Sequence, residues 1–182
     1  MELRPQDVVA VLKLLASRGK GTYAQLGEEL ALSPSQVFRA VDRAEIAHLL
    51  DTRTLPPLPG MTEERPLSFP NNNNLREFLI HGVKYCFPAQ RGGLVRGMPT
   101  AHAALPLKTQ IQQGSEPPPV WPTPDGTLRG TEFSPLYKNV PAAARRDPKL
   151  YELLALVDAI RDGRAREREI AIRELNARID AP

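Results

Sequence analysis

The sequence of 182 residues contains few cysteine and aromatic residues: one Cys, one Trp, four Tyr and five Phe. A single thiol cannot form an internal disulfide or hold a zinc ion alone, so Cys86 excludes a disulfide framework and a cysteine zinc finger. The longest apolar stretches, such as residues 153–157, are far shorter than the roughly 18 residues of a transmembrane helix. No signal-peptide pattern begins the chain. We therefore expect a cytoplasmic protein in a reducing compartment, without membrane contact.

Neither sign of charge is in large excess. The net charge is +3 and the pI is about 9.2, which does not by itself indicate nucleic-acid binding, since that depends on clustered Lys and Arg. Residues 1–51 carry six basic and seven acidic side chains, whereas residues 75–115 carry five basic and one acidic. Residues 149–182 carry seven of each. The excess positive charge therefore lies in the middle of the chain.

Proline is abundant but unevenly placed. Of the nineteen prolines, sixteen lie between Pro56 and Pro148. Proline breaks helix interiors because its ring clashes with the preceding turn and it lacks an N–H group. Long helices are therefore predicted only in the two outer parts of the chain, and a wholly helical bundle is excluded.

The first 50 residues predict three helices, at 5–18, from Thr22 to about residue 30, and at 34–49. Thr22 stands three residues before Gln25, and Ser33 stands three residues before Gln36. This is the spacing of a capping box, in which the hydroxyl accepts a helix N–H and the amide reaches back to the cap. Two short helices joined by a tight turn suit the major groove of duplex DNA.

The third predicted helix has two faces. Its apolar stripe is expected to pack inside: Val37, Ala40, Val41 and Ala44. The polar side chains project elsewhere and are the candidate base readers: Ser35, Gln36, Arg39 and Arg43. Arg pairs with guanine, Gln with adenine, and Ser with a base or phosphate. Three residues at the start of the second helix are candidate phosphate contacts: Thr22, Tyr23 and Gln25.

The segment TYAQLGEELALSPSQVFRAVDRAEIAHLL, residues 22–50, resembles the helix-turn-helix of MarR-type and related winged-helix bacterial regulators. The resemblance lies in residues 24–27, the turn at 32–35, Val37 and Arg39. It implies that the third helix enters the major groove and that a β-hairpin wing follows. Residues 52–74 depart from a clean hairpin with a basic tip, which predicts a short, distorted or flexible wing.

The middle of the chain predicts irregular structure. Asn71 to Asn74 predict a turn or disordered link, followed by a helix to about residue 81, a cap at Gly82 and extended chain over 83–87. Residues 91–100 predict a glycine-rich turn in which Arg91 and Arg96 supply additional contacts to the DNA backbone, with Lys84 as a further candidate.

No motif predicts catalysis. Catalytic carboxylate pairs, a serine elbow, a Walker loop and a dinucleotide fingerprint are all missing from the sequence. His81, Cys86 and His102 lack metal-ligand spacing, and the apolar neighbours of Cys86 predict a buried, inert thiol. We therefore expect no enzyme activity, no metal and no cofactor.

Residues 115–135 combine six prolines, the lone Trp121 and a turn at residues 124–126. This segment either covers the protein's own core or presents Trp121 to a partner. Beyond it, Asp147 and Pro148 begin a helix that ends near Gly163, and a second helix extends from 164 to 179. The two helices are expected to form an antiparallel pair that packs on the middle region or on a second copy.

The predicted fold is mainly α with a small β content. It comprises an N-terminal winged helix-turn-helix domain (1–70), a proline- and glycine-rich α+β middle region (71–146) and a C-terminal helical pair (147–182). The predicted function is a homodimeric transcriptional regulator, a repressor, that reads double-stranded DNA with the helix at 34–49.

Three alternatives remain open. Tri-helical folds also dock proteins, and the N-terminal part has a negative net charge. The layout distantly resembles an abortive-infection antitoxin, which would repress its own operon and bind a nucleotidyltransferase-like toxin through its middle and C-terminal regions. A ligand-sensing regulator would need a pocket between the middle region and the helical tail.

Overall fold

The computed structural model describes residues 2–55, 65–112 and 114–181, which form two compact units, residues 1–75 and residues 76–182. The protein is mainly helical with a small content of β-structure, as predicted. Residues 76–146 of the predicted middle region and the helical pair at 147–182 belong to one unit, whereas residues 71–75 belong to the first unit. Within the part of the chain that the structure describes, no helix is long and apolar enough to cross a membrane.

The first unit contains three helices and two strands: α1 (Pro5–Ser17), α2 (Tyr23–Leu30), α3 (Pro34–Ile46), β1 (Leu50–Leu55) and β2 (Arg65–Pro70). The predicted apolar stripe of α3 is buried, and α3 packs on both α1 and α2. Burial of such a stripe is the main source of stability for short helices. The core also takes in the apolar face of α1: Val8, Val9, Val11, Leu12 and Leu14.

Helix α3 ends at Ile46, three residues before the predicted end. His48 adopts a left-handed conformation with φ of 56°, and the Leu49 N–H donates to the Ala44 carbonyl at 2.9 Å. This six-to-one hydrogen bond closes the helix and turns the chain into β1. The boundary of 34–49 was therefore wrong at its C-terminal end.

The two strands after α3 form a regular antiparallel pair. Their register is continuous from Leu50 opposite Pro70 to Leu55 opposite Arg65. The predicted distortion is not observed in these strands. The segment between them, residues 56–64, lies outside the described residues, so the expectation about a wing tip cannot be placed on the structure.

The asparagine run begins a helix, where a turn or link was predicted. Helix α4 spans Asn72–Glu77, and the Asn71 side chain accepts the Asn74 N–H at 3.1 Å as an N-terminal cap. The chain then continues through a π-helical turn (Phe78–Gly82) into α5 (Val83–Cys86). The predicted cap at Gly82 and extended chain at 83–87 were therefore wrong, because the helical hydrogen bonding continues through the glycine.

In the second unit, three strands pair with one another: β3 (Arg91–Pro99), β4 (Pro119–Pro122) and β5 (Leu128–Phe133). Strand β3 is antiparallel to both others, and β4 is parallel to β5. The glycine-rich turn predicted at 91–100 is thus a strand. The small sheet requires close backbone approach, since a Cβ at Gly97 would lie 2.2 Å from the Trp121 carbonyl oxygen.

Three helices complete the second unit: α6 (Val140–Arg146), α7 (Pro148–Asp162) and α8 (Ala165–Ile179). Asp147 caps α7 by accepting the N–H groups of Lys149 and Leu150, as predicted. Arg178, near the end of α8, forms an ion pair with Glu152, near the start of α7, at 2.8 Å. The two helices therefore run antiparallel, as the sequence predicted.

The proline-rich segment covers the protein's own core. Trp121 is fully buried and donates its Nε1–H to Asp158 Oδ2 at 2.6 Å. Asp158 also accepts from Thr100 at 2.8 Å and from Arg161 at 2.7 Å. Burial raises the pKa of the Asp158 carboxyl, against the opposing effect of Arg161. Trp121 is therefore not displayed to a partner.

Candidate nucleic-acid interface

The start of α3 is an exposed, capped helix terminus. The Ser33 hydroxyl accepts the Gln36 N–H at 3.3 Å, and the Gln36 side-chain oxygen accepts the Ser33 N–H at 2.9 Å. Thr22 and Gln25 form the same arrangement at the start of α2, at 3.2 and 2.9 Å. Both predicted capping boxes are confirmed.

The capping boxes limit what the two glutamines can bind. An adenine edge needs both the oxygen and the nitrogen of a glutamine amide. The side-chain oxygens of Gln25 and Gln36 already accept backbone N–H groups. The caps hold each side-chain oxygen at the helix terminus, whereas the amide nitrogen of each glutamine makes no such contact with the cap.

Arg39 and Ser35 are exposed on α3, as predicted. Within the described ranges, Arg39 makes no ion pair and no side-chain hydrogen bond, so its guanidinium group is available to a ligand. The Ser35 hydroxyl lies 3.1 Å from the Ser33 hydroxyl, within hydrogen-bond distance. Together with Gln36, these two side chains form the exposed polar surface of the first turns of α3.

Arg43 was predicted to read a base, but the structure places its side chain inside the unit. Its side chain is only 9% exposed, and it donates to Asp7 through Nε at 2.8 Å and through its terminal nitrogen at 2.6 Å. The hydrogen bonds and charge of Asp7 raise the pKa of the Arg43 guanidinium. Arg43 holds α3 against α1 and is not available to read a base, because both donors that face Asp7 are used inside the unit.

An exposed aromatic side chain on α3 was missed by the sequence analysis. Phe38 is 56% exposed and packs edge-on against Tyr23, with ring centroids 6.0 Å apart. The signal was present in the sequence, since Phe38 lies outside the apolar stripe of α3. Partial burial, with the charge of Glu45, raises the pKa of the Tyr23 phenol, against the opposing effect of a hydrogen bond with Ser68.

Glu45 joins the end of α3 to the strand pair. One carboxylate oxygen accepts the Thr52 hydroxyl of β1 at 2.5 Å and the Ser68 hydroxyl of β2 at 2.6 Å. Charged acceptors make the stronger class of hydrogen bond. The two contacts fasten the strand pair to the C-terminal half of α3.

Two exposed cations of this unit lie close to the start of α2. Arg18 and Lys20 are exposed and immediately precede the Thr22 cap. The N-terminus of a helix carries partial positive charge and free N–H groups, which favour phosphate. Arg18 and Lys20 are not among the predicted phosphate contacts at this helix, which were Thr22, Tyr23 and Gln25.

Arg91 and Arg96 belong to the second unit, on β3. Arg91 donates to Asp162 at 2.5 Å and lies over the Phe133 ring, so it is held within its own unit. Arg96 is exposed. The backbone N–H groups around them are arranged in a strand, and the predicted phosphate-cradling turn is absent from this described segment.

Cys86 is exposed, which corrects the prediction of a buried thiol. It ends α5, where Tyr85 beside it is also exposed, because the helical turn directs both outward. Across the described residues, no group of three or more His, Cys, Asp or Glu side chains converges as a metal site.

Comparison of the chain with protein-family models, with curated proteins and with solved structures found no significant match.

Proposed function

We propose that the first unit is a winged helix-turn-helix domain that binds duplex DNA, and that the protein is a transcriptional repressor. The observation that carries the proposal is the exposed first half of α3, which is capped, polar and free of internal partners at Arg39. A helix presented in this way fits the major groove, with its N-terminal residues at the base edges.

The roles of the side chains follow from their available donors. Arg39 would pair bidentately with guanine, which gives roughly 1–3 kcal/mol of discrimination. Phe38 would contact a thymine methyl group, a contact typical of exposed aromatic side chains in the groove. The start of α2, with the Tyr23 hydroxyl and Lys20, would hold phosphates. β1 and β2 would act as the wing.

A homodimer is part of the proposal. Two copies of α3 spaced by about 34 Å would reach successive major grooves on one face of the duplex. The expected operator is therefore a pseudo-palindrome. Analytical ultracentrifugation of the free protein and of its DNA complex measures the two stoichiometries.

Selection from random duplex DNA, followed by gel shifts at fixed salt, tests this function. Arg39→Ala should reduce retention of the selected sequence by tenfold or more, and Arg39→Ala with Gln36→Ala should abolish it. Arg39→Lys should keep salt-sensitive binding but relax preference at one base pair, because Lys lacks the bidentate fork.

Arg166→Ala is the matched control, since Arg166 is also exposed and lies on α8. Failure to enrich any sequence, or equal retention by the Arg39 variants, would overturn the proposal.

A second candidate is that α3 docks a protein, as an antitoxin or adaptor would. It is favoured by the exposure of Phe38 and Ile46, both more than half exposed on α3. Exposed apolar patches often mark protein interfaces. Purification of the tagged wild type and of Phe38→Ser, with its neighbouring gene product co-expressed, separates the two candidates. Docking is favoured if a partner co-purifies with the wild type but not with the Phe38→Ser variant, and if the selection enriches no DNA sequence.

A further inference from the structure

Two arginines on the outer face of the small sheet lie directly opposite each other. Arg96 of β3 is the register partner of Arg129 of β5 in their antiparallel pairing. Side chains at opposed positions of an antiparallel pair lie on the same face with Cβ atoms about 5 Å apart. Both side chains are exposed.

The position of these two arginines opposite each other is unfavourable for the protein without a ligand. Like charges directly opposite in a sheet are destabilising. Within residues 65–112 and 114–181, neither guanidinium forms an ion pair or a side-chain hydrogen bond. The neighbouring acids are directed elsewhere: Asp125 pairs with Arg145 at 3.3 Å, and the Glu132 carboxylate lies over Gly92. The positive charge of the pair is therefore left uncompensated.

The two arginines line an open groove of about 430 Å³, whose other lining residues are Leu94, Thr127 and Leu128. Leu94 is 55% exposed and Leu128 is 38% exposed, so the groove offers apolar surface beside its two cations. The volume is within the range of about 300–1,000 Å³ that is usual for small-molecule sites. A ligand that fits must be both anionic and partly apolar.

We propose that this groove binds a phosphate monoester with an apolar or aromatic body, of the size of a nucleoside monophosphate. A phosphate monoester carries about −1.5 to −2 charges at pH 7, which matches two guanidinium groups, whereas a carboxylate or a phosphodiester carries one. Arginine is suited to this group because its planar fork donates two parallel hydrogen bonds to phosphate oxygens. The apolar body lies on Leu94 and Leu128.

This inference does not depend on DNA binding by the first unit, since all the lining residues belong to the second unit. The ligand-sensing alternative placed a pocket beside the helical tail. The groove lies instead between β3 and β5, a position that only the strand register reveals.

Isothermal titration calorimetry of the full chain with 5′-AMP, adenosine, inorganic phosphate and a short DNA duplex tests the site. We expect saturable AMP binding, weaker binding of inorganic phosphate, and no binding of adenosine. Arg96→Ala and Arg129→Ala should each weaken AMP binding by about tenfold or more, because each removes charge-assisted hydrogen bonds. The control variant Arg166→Ala should bind AMP with the affinity of the wild type.

Thermal unfolding provides the second readout. Without ligand, Arg96→Gln and Arg129→Gln should melt at the wild-type temperature or above it, since each relieves repulsion between like charges. AMP should raise the melting temperature of the wild type more than that of either variant.

The proposal is overturned by AMP binding that is unchanged in both variants, by adenosine binding as tightly as AMP, or by the absence of AMP binding. An arginine-dependent affinity for duplex DNA without AMP binding would assign the groove to the DNA backbone instead, and would leave the proposed function standing.

Discussion

Asp7 and Arg43 form a buried, two-point ion pair that joins the first turn of α1 to the second half of α3. Arg43 donates to both carboxylate oxygens of Asp7, at 2.8 and 2.6 Å, and the Arg4 N–H donates to Asp7 at 2.8 Å. Asp7 is fully buried. The pair links α3 to α1, so a cation that resembles a ligand contact is part of the scaffold that presents Arg39.

Removing one member of this pair should be costly. Asp7→Ala leaves the Arg43 charge buried without its partner, and we expect the free energy of unfolding to fall by about 3–5 kcal/mol. Urea denaturation followed by circular dichroism measures the loss. The double variant Asp7→Leu with Arg43→Met is the control, since an apolar pair of similar volume should restore most of the stability. A loss below about 1 kcal/mol for Asp7→Ala would contradict a buried pair.

The capping box at Ser33 makes a separate contribution. Ser33→Ala removes the acceptor of the Gln36 N–H, and we expect a loss of about 1 kcal/mol in the free energy of unfolding. Ser35→Ala, two residues away, removes a hydroxyl that caps no backbone group and should change stability by less than about 0.5 kcal/mol. Equal effects of the two substitutions in urea denaturation would show that the cap does not stabilise α3.

Two glycines of β3 provide a matched test of the small sheet. A Cβ at Gly97 would lie 2.2 Å from a backbone oxygen of β4, whereas a Cβ at Gly93 would meet no atom within 4 Å. Gly97→Ala should therefore destabilise the second unit by roughly 3 kcal/mol or prevent its folding, because the backbone must move. Gly93→Ala should be neutral to within about 0.5 kcal/mol. The fluorescence of Trp121, which is buried in this unit, reports the unfolding transition of each variant.

The Tyr151 phenol should ionise later than the other tyrosines as the pH rises. Burial raises the pKa of its phenol to about 12, and the hydroxyl donates to the Pro99 carbonyl at 2.6 Å. Since the folded pKa exceeds the unfolded value of about 10, the stability linked to this proton is complete below pH 10 and is lost as the pH rises towards 12. Ultraviolet titration should show one of the four tyrosines ionising last. Tyr151→Phe should lack that final step; its persistence in the variant would assign it to another residue.

The parts of the fold that were predicted correctly depend on neighbours within one turn of helix. Both capping boxes and the Asp147 cap join residues two or three positions apart, so the residue types and their spacing are sufficient. The apolar stripe of α3 follows for the same reason, since residues three and four apart share a helix face. The antiparallel helical pair follows from the short link at Gly163.

Two of the wrong predictions depend on distant partners, whereas the exposure of Cys86 follows from the local continuation of a helix. Arg43 is buried because Asp7 lies 36 residues earlier in the chain and its carboxylate compensates the charge. Residues 91–99 form a strand because β4 and β5 supply hydrogen-bond partners, which outweighs the preference of glycine for turns. Cys86 is exposed because the helix continues through Gly82 and turns the thiol outward.

Local spacing and the placement of proline were sufficient to predict α1, α2, α7 and α8, the start of α3 and the caps of α2, α3 and α7. Which cations are free to bind a ligand follows from the packing of the folded chain and could not be read from local spacing. Arg43 and Arg91 are held by carboxylates of distant segments, while Arg39, Arg96 and Arg129 have no such partner among the residues that the structure describes. The physical reason is that the availability of a charge depends on what packs beside it, and that is fixed by long-range contacts.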